Sequence, residues 1–113
     1  MNRNKLIAVF VANISNVVVH EILEKSVGDN KELREHYDAE YSNFMKIALS
    51  YREKINPVNL PLPVKDINEI KEKIKRNVSN ELKLRISKGY KNIDLSLIDK
   101  YIEEKLKEAR VIR

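Results

Sequence analysis

The two histidines of the chain, His20 and His36, lie eight residues before and after Gly28. Imidazole nitrogens bind metals and transfer protons near neutral pH, so this pair is the first candidate for chemistry. If Gly28 is the turn of a helical hairpin, the two rings lie at the same height on facing helices. Seven carboxylates accompany them, at Glu21, Glu24, Asp29, Glu32, Glu35, Asp38 and Glu40.

Each histidine has a glutamate one helical turn later, Glu24 after His20 and Glu40 after His36. Residues four apart share a helix face, so these four side chains form a candidate metal site of the imidazole and carboxylate type that zinc accepts. Metal boxes inside helical bundles typically use Glu-x-x-His pairs, and the chain contains none. The competing interpretations are a solvated surface and a hydrogen bond between helices, and we rank the metal site below both.

Other catalytic patterns are missing from the sequence. There is no cysteine nucleophile or thiolate zinc site, and the two glycines, Gly28 and Gly89, are isolated, so no glycine-rich loop can hold a phosphate. We therefore assign no catalytic residues, expect no cofactor and expect no enzymatic activity.

Length and composition predict one ordered domain over residues 1–113. A chain of 113 residues buries about 65% of its unfolded surface, and a content of 42% hydrophobic and 35% charged residues is typical of a folded protein. The absence of cysteine favours the cytoplasm. Lysine and glutamate enrichment without glutamine favours a thermophilic source, although twelve asparagines count against selection for heat.

Hydrophobic periodicity predicts an all-α fold, a four-helix bundle-like arrangement with a long N-terminal antiparallel helical hairpin, a proline crossover and two further helices. The hairpin covers 1–56, the proline-rich crossover 57–65 and a basic helical pair 66–113. The first helix, from about Asn4 to Val27, is apolar on most sides, so it is central to the bundle or lies in a dimer interface. Two strands are the alternative for its β-branched runs, but no hairpin turn separates them.

The apolar run "LIAVFVANISNVVV" resembles a signal or membrane segment in composition only. No small-residue cleavage site follows it, and at 14 residues, with Asn13, Ser15 and Asn16 inside, it is too short and too polar for a bilayer of about 30 Å. We expect a buried core helix and no membrane partner.

Capping patterns predict where the helices begin and end. Gly28 suits the left-handed position after helix one, and Asp29 with Glu32 opens helix two, which runs to about Ile55. The remaining predictions are a cap at Asp66 for helix three, curvature or a break in that helix near Asn77 and Ser79, an end at Gly89, and a cap at Asp94 or Ser96 for helix four.

The net charge of +5 belongs entirely to the second half of the chain. Residues 1–64 carry 8 basic and 8 acidic residues, and residues 65–113 carry 14 and 9. A basic face there could bind nucleic-acid phosphates without reading sequence. The segment "GYKNID" is too long for a helix-turn-helix, and helix four alternates acids with lysines as a solvated face does. The candidate nucleic-acid-binding residues are Lys71, Lys75, Arg76, Lys83, Arg85, Lys88 and Lys91.

The leading hypothesis from the sequence is a small cytosolic helical interaction or regulatory protein without catalytic activity. We expect it to self-associate as a two-fold dimer, because three mixed-charge helices do not easily cover so apolar a first helix. Another protein is a further expected partner. A nonspecific nucleic-acid-binding protein is the alternative, and a metal-binding helical bundle is third.

Overall fold

The computed structural model describes residues 1–113 and is all-helical, which confirms the predicted fold class. The elements are α1 (Arg3–Ser26), α2 (Lys31–Ile55), α3 (Val64–Ser87), a 3-10 turn (Leu95–Leu97) and α4 (Ile98–Glu108). No strand forms, so the strand alternative for the first helix is wrong.

Helix α1 lies at the centre of the fold. It packs against α2 in the predicted hairpin and also contacts α3 and α4, while α3 contacts α4. Two contacts show that α3 runs parallel to α1: Arg3 binds Asp66 at the start of both helices, and Asn77 Nδ2 donates to Ser15 Oγ at 3.3 Å halfway along them. The chain therefore runs up, down and up through α1, α2 and α3.

The apolar character of α1 is that of a core helix, because ten of its 24 residues are buried. By length and composition alone it could also cross a membrane, since an 18-residue window has a mean hydropathy of 1.9. The length of 14 residues that counted against a membrane span was that of the apolar run alone, and the helix that contains this run has 24 residues. The fold buries 56% of that window.

A single chain covers α1 more completely than the sequence suggested. Along its middle, the exposed side chains are the small ones of Ala8 and Ala12, while Phe10, Ile14 and Ile22 are buried. The reason first given for self-association, an uncovered α1, is therefore absent. Self-association itself stays a prediction.

Two of the predicted caps were placed wrongly. Asn30 caps α2, because its side chain accepts from the Leu33 N–H at 3.1 Å, whereas Asp29 belongs to the turn. Helix α3 begins at Val64 after Pro63, so Asp66 lies in the first turn, where a negative charge still stabilises the helix dipole.

Other predicted boundaries agree with the structure. Gly28 and Gly89 take left-handed φ values of +56° and +97° after α1 and α3. Asp94 caps the 3-10 turn that leads into α4, since its carboxylate accepts from the Ser96 N–H at 3.0 Å. Helix α3 is unbroken at Asn77, so the predicted break is wrong, and the side chain of that residue bonds Ser15.

A buried arginine joins three distant segments of the chain. Arg52 is only 1% exposed, and its guanidinium has no carboxylate partner. It donates instead to the backbone carbonyls of Ala109 and Arg110 at the end of α4, of Leu60 in the crossover, and of Asn56 after α2. The side-chain oxygen of Asn56 completes the set. The carbonyls at the C-terminal end of a helix carry partial negative charge, so they offset the buried cation.

Replacing Arg52 by methionine should lower the free energy of unfolding by about 3–5 kcal/mol, because it leaves the buried carbonyl of Ala109 and three partly buried carbonyls without a donor. Urea unfolding followed by far-ultraviolet circular dichroism measures this. Arg34→Met, an exposed change on the same helix, is the matched control and should stay within about 0.5 kcal/mol of the wild type. Equal losses in the two variants would contradict the role of Arg52.

Candidate functional site

The two histidines meet at one carboxylate. Glu40 Oε2 bonds Nε2 of His20 across the hairpin, and Glu40 Oε1 lies 3.2 Å from Nε2 of His36 on its own helix. His20 is 6% exposed and packs against the rings of Tyr37 and Phe44, whereas His36 is exposed. The hydrogen bond between helices is therefore present. The partners of His20 on α2 are Tyr37, Glu40 and Phe44, so its ring lies nearest the level of Glu40, one helical turn beyond His36.

Both ring nitrogens of His20 have oxygen partners. Its Nδ1 lies 2.7 Å from the backbone carbonyl of Asn16 on its own helix, and its Nε2 bonds Glu40 on α2. The arrangement is a hydrogen-bonded clamp between α1 and α2.

The structure does not assemble the four candidate metal ligands. Glu24 is absent from the contacts of His20, His36 and Glu40 and lies among charged residues near the hairpin turn, including Lys31 and Arg34. No group of three or more histidine and carboxylate side chains is arranged to hold a metal ion.

A second polar cluster surrounds Lys105 on α4, which is 4% exposed. Its ammonium group donates to the hydroxyl of Tyr41 and to Glu108 Oε1 at 3.1 Å, and it lies 3.4 Å from Glu21 Oε2. Burial opposes its charge, but the bonds to Tyr41 and Glu108 and the negative charge of Glu21 outweigh burial and raise the pKa of Lys105. A lysine held in its charged form is not a nucleophile. Because the partners of Lys105 include Tyr41 on α2 and Glu21 on α1, the cluster instead joins α4 to the hairpin.

Burial also raises the pKa of Glu21, against the lowering effect of Lys105. Glu104 and Glu108 add negative charge nearby and raise it further. The buried oxygen of Glu21 has no hydrogen bond, so the attraction of Lys105 only partly compensates for its burial.

Three of the seven candidate nucleic-acid-binding residues are paired with acids. Lys71 lies 3.1 Å from Glu103 and Lys75 3.1 Å from Asp99, both across the α3–α4 contact. The acids of α4 thus contact α3 rather than only the lysines of their own helix. The third paired residue is Arg85, which binds Glu81, and the four without an ion pair are Arg76, Lys83, Lys88 and Lys91.

An open groove runs between α1 and α3, and we call it the α1–α3 groove. Its volume is about 380 Å³. The floor includes Ala12, whose small side chain leaves the backbone of α1 accessible, and the rim includes Leu84, which is 47% exposed. The groove is lined by Ala12, Ser15, Asn16, Val19, Asn77, Asn80, Glu81 and Leu84.

Comparison of the chain with protein-family models, curated proteins and solved structures finds no match. Its function therefore has to be inferred from these surfaces and clusters alone.

Two central residues, Arg52 and Lys105, were missed by the sequence reasoning. Arg52 lies between Ala48 and Ile55 on the apolar arc of α2, and Lys105 adjoins Leu106 on that of α4. The helical period alone places both on buried faces. Their charge suggested the surface, and only acceptors from distant parts of the chain make burial possible.

Changing Glu40 to alanine should lower the free energy of unfolding by about 1–3 kcal/mol, because it leaves a buried ring nitrogen of His20 without its partner. Urea unfolding followed by circular dichroism measures the loss. His36→Ala is the control, since it removes only the exposed neighbour of Glu40 and should cost less than about 0.5 kcal/mol. Equal losses in the two variants would refute the clamp.

The raised pKa of Glu21 predicts a pH dependence of stability. The carboxyl of Glu21 binds its proton more tightly in the folded chain than in the unfolded chain. Protonation of Glu21 therefore contributes its full stabilisation of the fold below the ordinary pKa of 4.5, and this contribution is lost as the pH rises through the pKa of the folded chain. Relative to Glu21→Gln, the wild type should thus gain stability as the pH falls towards 4.5. Chemical unfolding at several pH values measures the difference. Glu24→Gln controls for the lost charge, and a constant difference would contradict the prediction.

Proposed function

We propose that this chain is a small helical interaction protein of the cytoplasm, without catalytic activity, and that the α1–α3 groove receives an amphipathic helix. The open groove is the observation that carries the proposal. Helices commonly bind partners by lying in a surface groove. The lining of this one combines apolar residues (Ala12, Val19 and Leu84) with polar ones, which suits a helix that has both kinds of side chain. The exposed Ala8 and Ala12 allow a second helix to approach α1 closely, and Leu84 offers an apolar contact at the rim.

The polar groups of the groove also favour a partner. Asn77 uses one amide hydrogen on Ser15 and has a free carbonyl oxygen, and the side chain of Asn80 makes no hydrogen bond within the chain. These amides can bond a partner without the desolvation cost of a buried charge.

The reactive side chains of the chain support a non-catalytic role. The bonds of His20 fix the hairpin, and Lys105 is held as a cation by Tyr41 and its acidic neighbours. Arg52 has its donors occupied by carbonyl and amide oxygens. The cytoplasmic location is supported by α1, whose apolar residues form the core of the fold.

Nucleic-acid binding is the weaker alternative, because the basic surface is partly neutralised. Lys71, Lys75 and Arg85 already pair with acids, so only part of the predicted face remains for phosphates.

Photo-crosslinking tests the proposed groove. A photoreactive residue at position 12 in the full chain, expressed in its native cells, should give a discrete adduct, because a bound helix lies against that position. The matched control carries the same residue at position 42, where Ser42 is exposed on α2, and should give none. An adduct of any single mass from position 12 supports the interaction function, whereas none, or the same products from both positions, overturns it.

A further inference from the structure

The charges of α3 are arranged symmetrically about Asn77, with opposite signs at equal distances. Lys73 precedes it by four residues and Glu81 follows it by four, while Glu69 precedes it by eight and Arg85 follows it by eight. Each half is already an ion pair, Lys73 with Glu69 at 2.9 Å and Arg85 with Glu81 at 2.9 Å.

Such a pattern is complementary to itself. In an antiparallel two-fold contact, a residue before the axis faces the residue at the same distance after it in the second copy. Lys73 would face Glu81, since both lie about 40° from Asn77 around the helix. Glu69 and Arg85 lie about 80° to either side and extend the contact through their bonds to Lys73 and Glu81. The like-charged Lys71 and Lys83 lie about 120° from Asn77 around the helix, away from this stripe.

The neighbouring floor of α1 has the space that such a contact requires. Because Ser15 contacts Asn77 and the helices are parallel, Ala8 lies near the level of Ile70 and Ala12 near the level of Ile74. With the two-fold axis at Asn77, Leu84 of the second copy lies at the height of Ile70, and Asn80 of the second copy lies at the height of Ile74. The largest exposed side chain of the groove thereby meets one of the smallest residues of α1.

We propose that the helix in the α1–α3 groove is α3 of a second copy of this chain, packed antiparallel on a two-fold axis through Asn77. The two Asn77 side chains pair across the axis, each using the carbonyl oxygen and the amide hydrogen that Ser15 leaves free. This inference rests on the proposed function and names its partner. The reason for a dimer is now the self-complementary charge pattern of α3, in place of an uncovered α1.

Charge reversals test the dimer by sedimentation equilibrium of the full chain. The wild type should be a dimer at micromolar concentration. Lys73→Glu alone places two glutamates opposite each other at two points, so the dissociation constant should rise at least about tenfold. Adding Glu81→Lys restores opposite charges between the copies and should return the constant to within about threefold of the wild type.

The double variant is a strict control. It still has the two acidic residues, at positions 69 and 73, that the single change places side by side within α3. A general loss of helix stability would weaken it as much as the single variant, and circular dichroism checks that each protein is folded. A monomeric wild type at about 100 micromolar, or no recovery in the double variant, overturns the proposed dimer. A crosslinked adduct with another protein from position 12 would then still uphold the interaction function.

Discussion

The fold depends on one buried cation that has no anion beside it. The guanidinium of Arg52 is placed where the end of α2, the crossover and the end of α4 converge, and oxygens from all three surround it. Each of those segments would otherwise end in carbonyls without donors. One side chain thus satisfies the backbone of three segments and fixes α4 against the hairpin, and the backbone bond from Leu62 to Val111 extends the same junction.

The polar side chains inside the fold have a structural use in every case. Ser15 bonds the backbone of its own helix and receives Asn77, while His20 links the two helices of the hairpin and Lys105 links α4 to them. Buried polar groups that are bonded in this way specify one packing arrangement more sharply than an apolar core does. Small side chains and amides without a partner occur together in the α1–α3 groove, at Ala12 and Asn80.

Sequence patterns predicted the helices well because helix formation depends on local periodicity. The four helices and the turn at Gly28 follow from residues within a few positions of each other. The position of the cap at Asn30 rather than Asp29 depends on how the turn leaves Gly28, which composition does not specify. The sharing of Glu40 by the two histidines depends on the rotation of α1 against α2. The burial of Arg52 depends on Ala109 and Arg110, more than fifty residues away, so no local pattern reveals it.

The junction at Arg52 also orders the events of synthesis. The hairpin of α1 and α2 leaves the ribosome before α4 and can form its own contacts, including the bond from His20 to Glu40. At that stage Arg52 has only the acceptors of its own neighbourhood, at Asn56 and Leu60. The carbonyls of Ala109 and Arg110 are made more than fifty residues after Arg52, so until then the hairpin keeps this charge hydrated and its end open. Closure of the fold therefore waits for the end of α4.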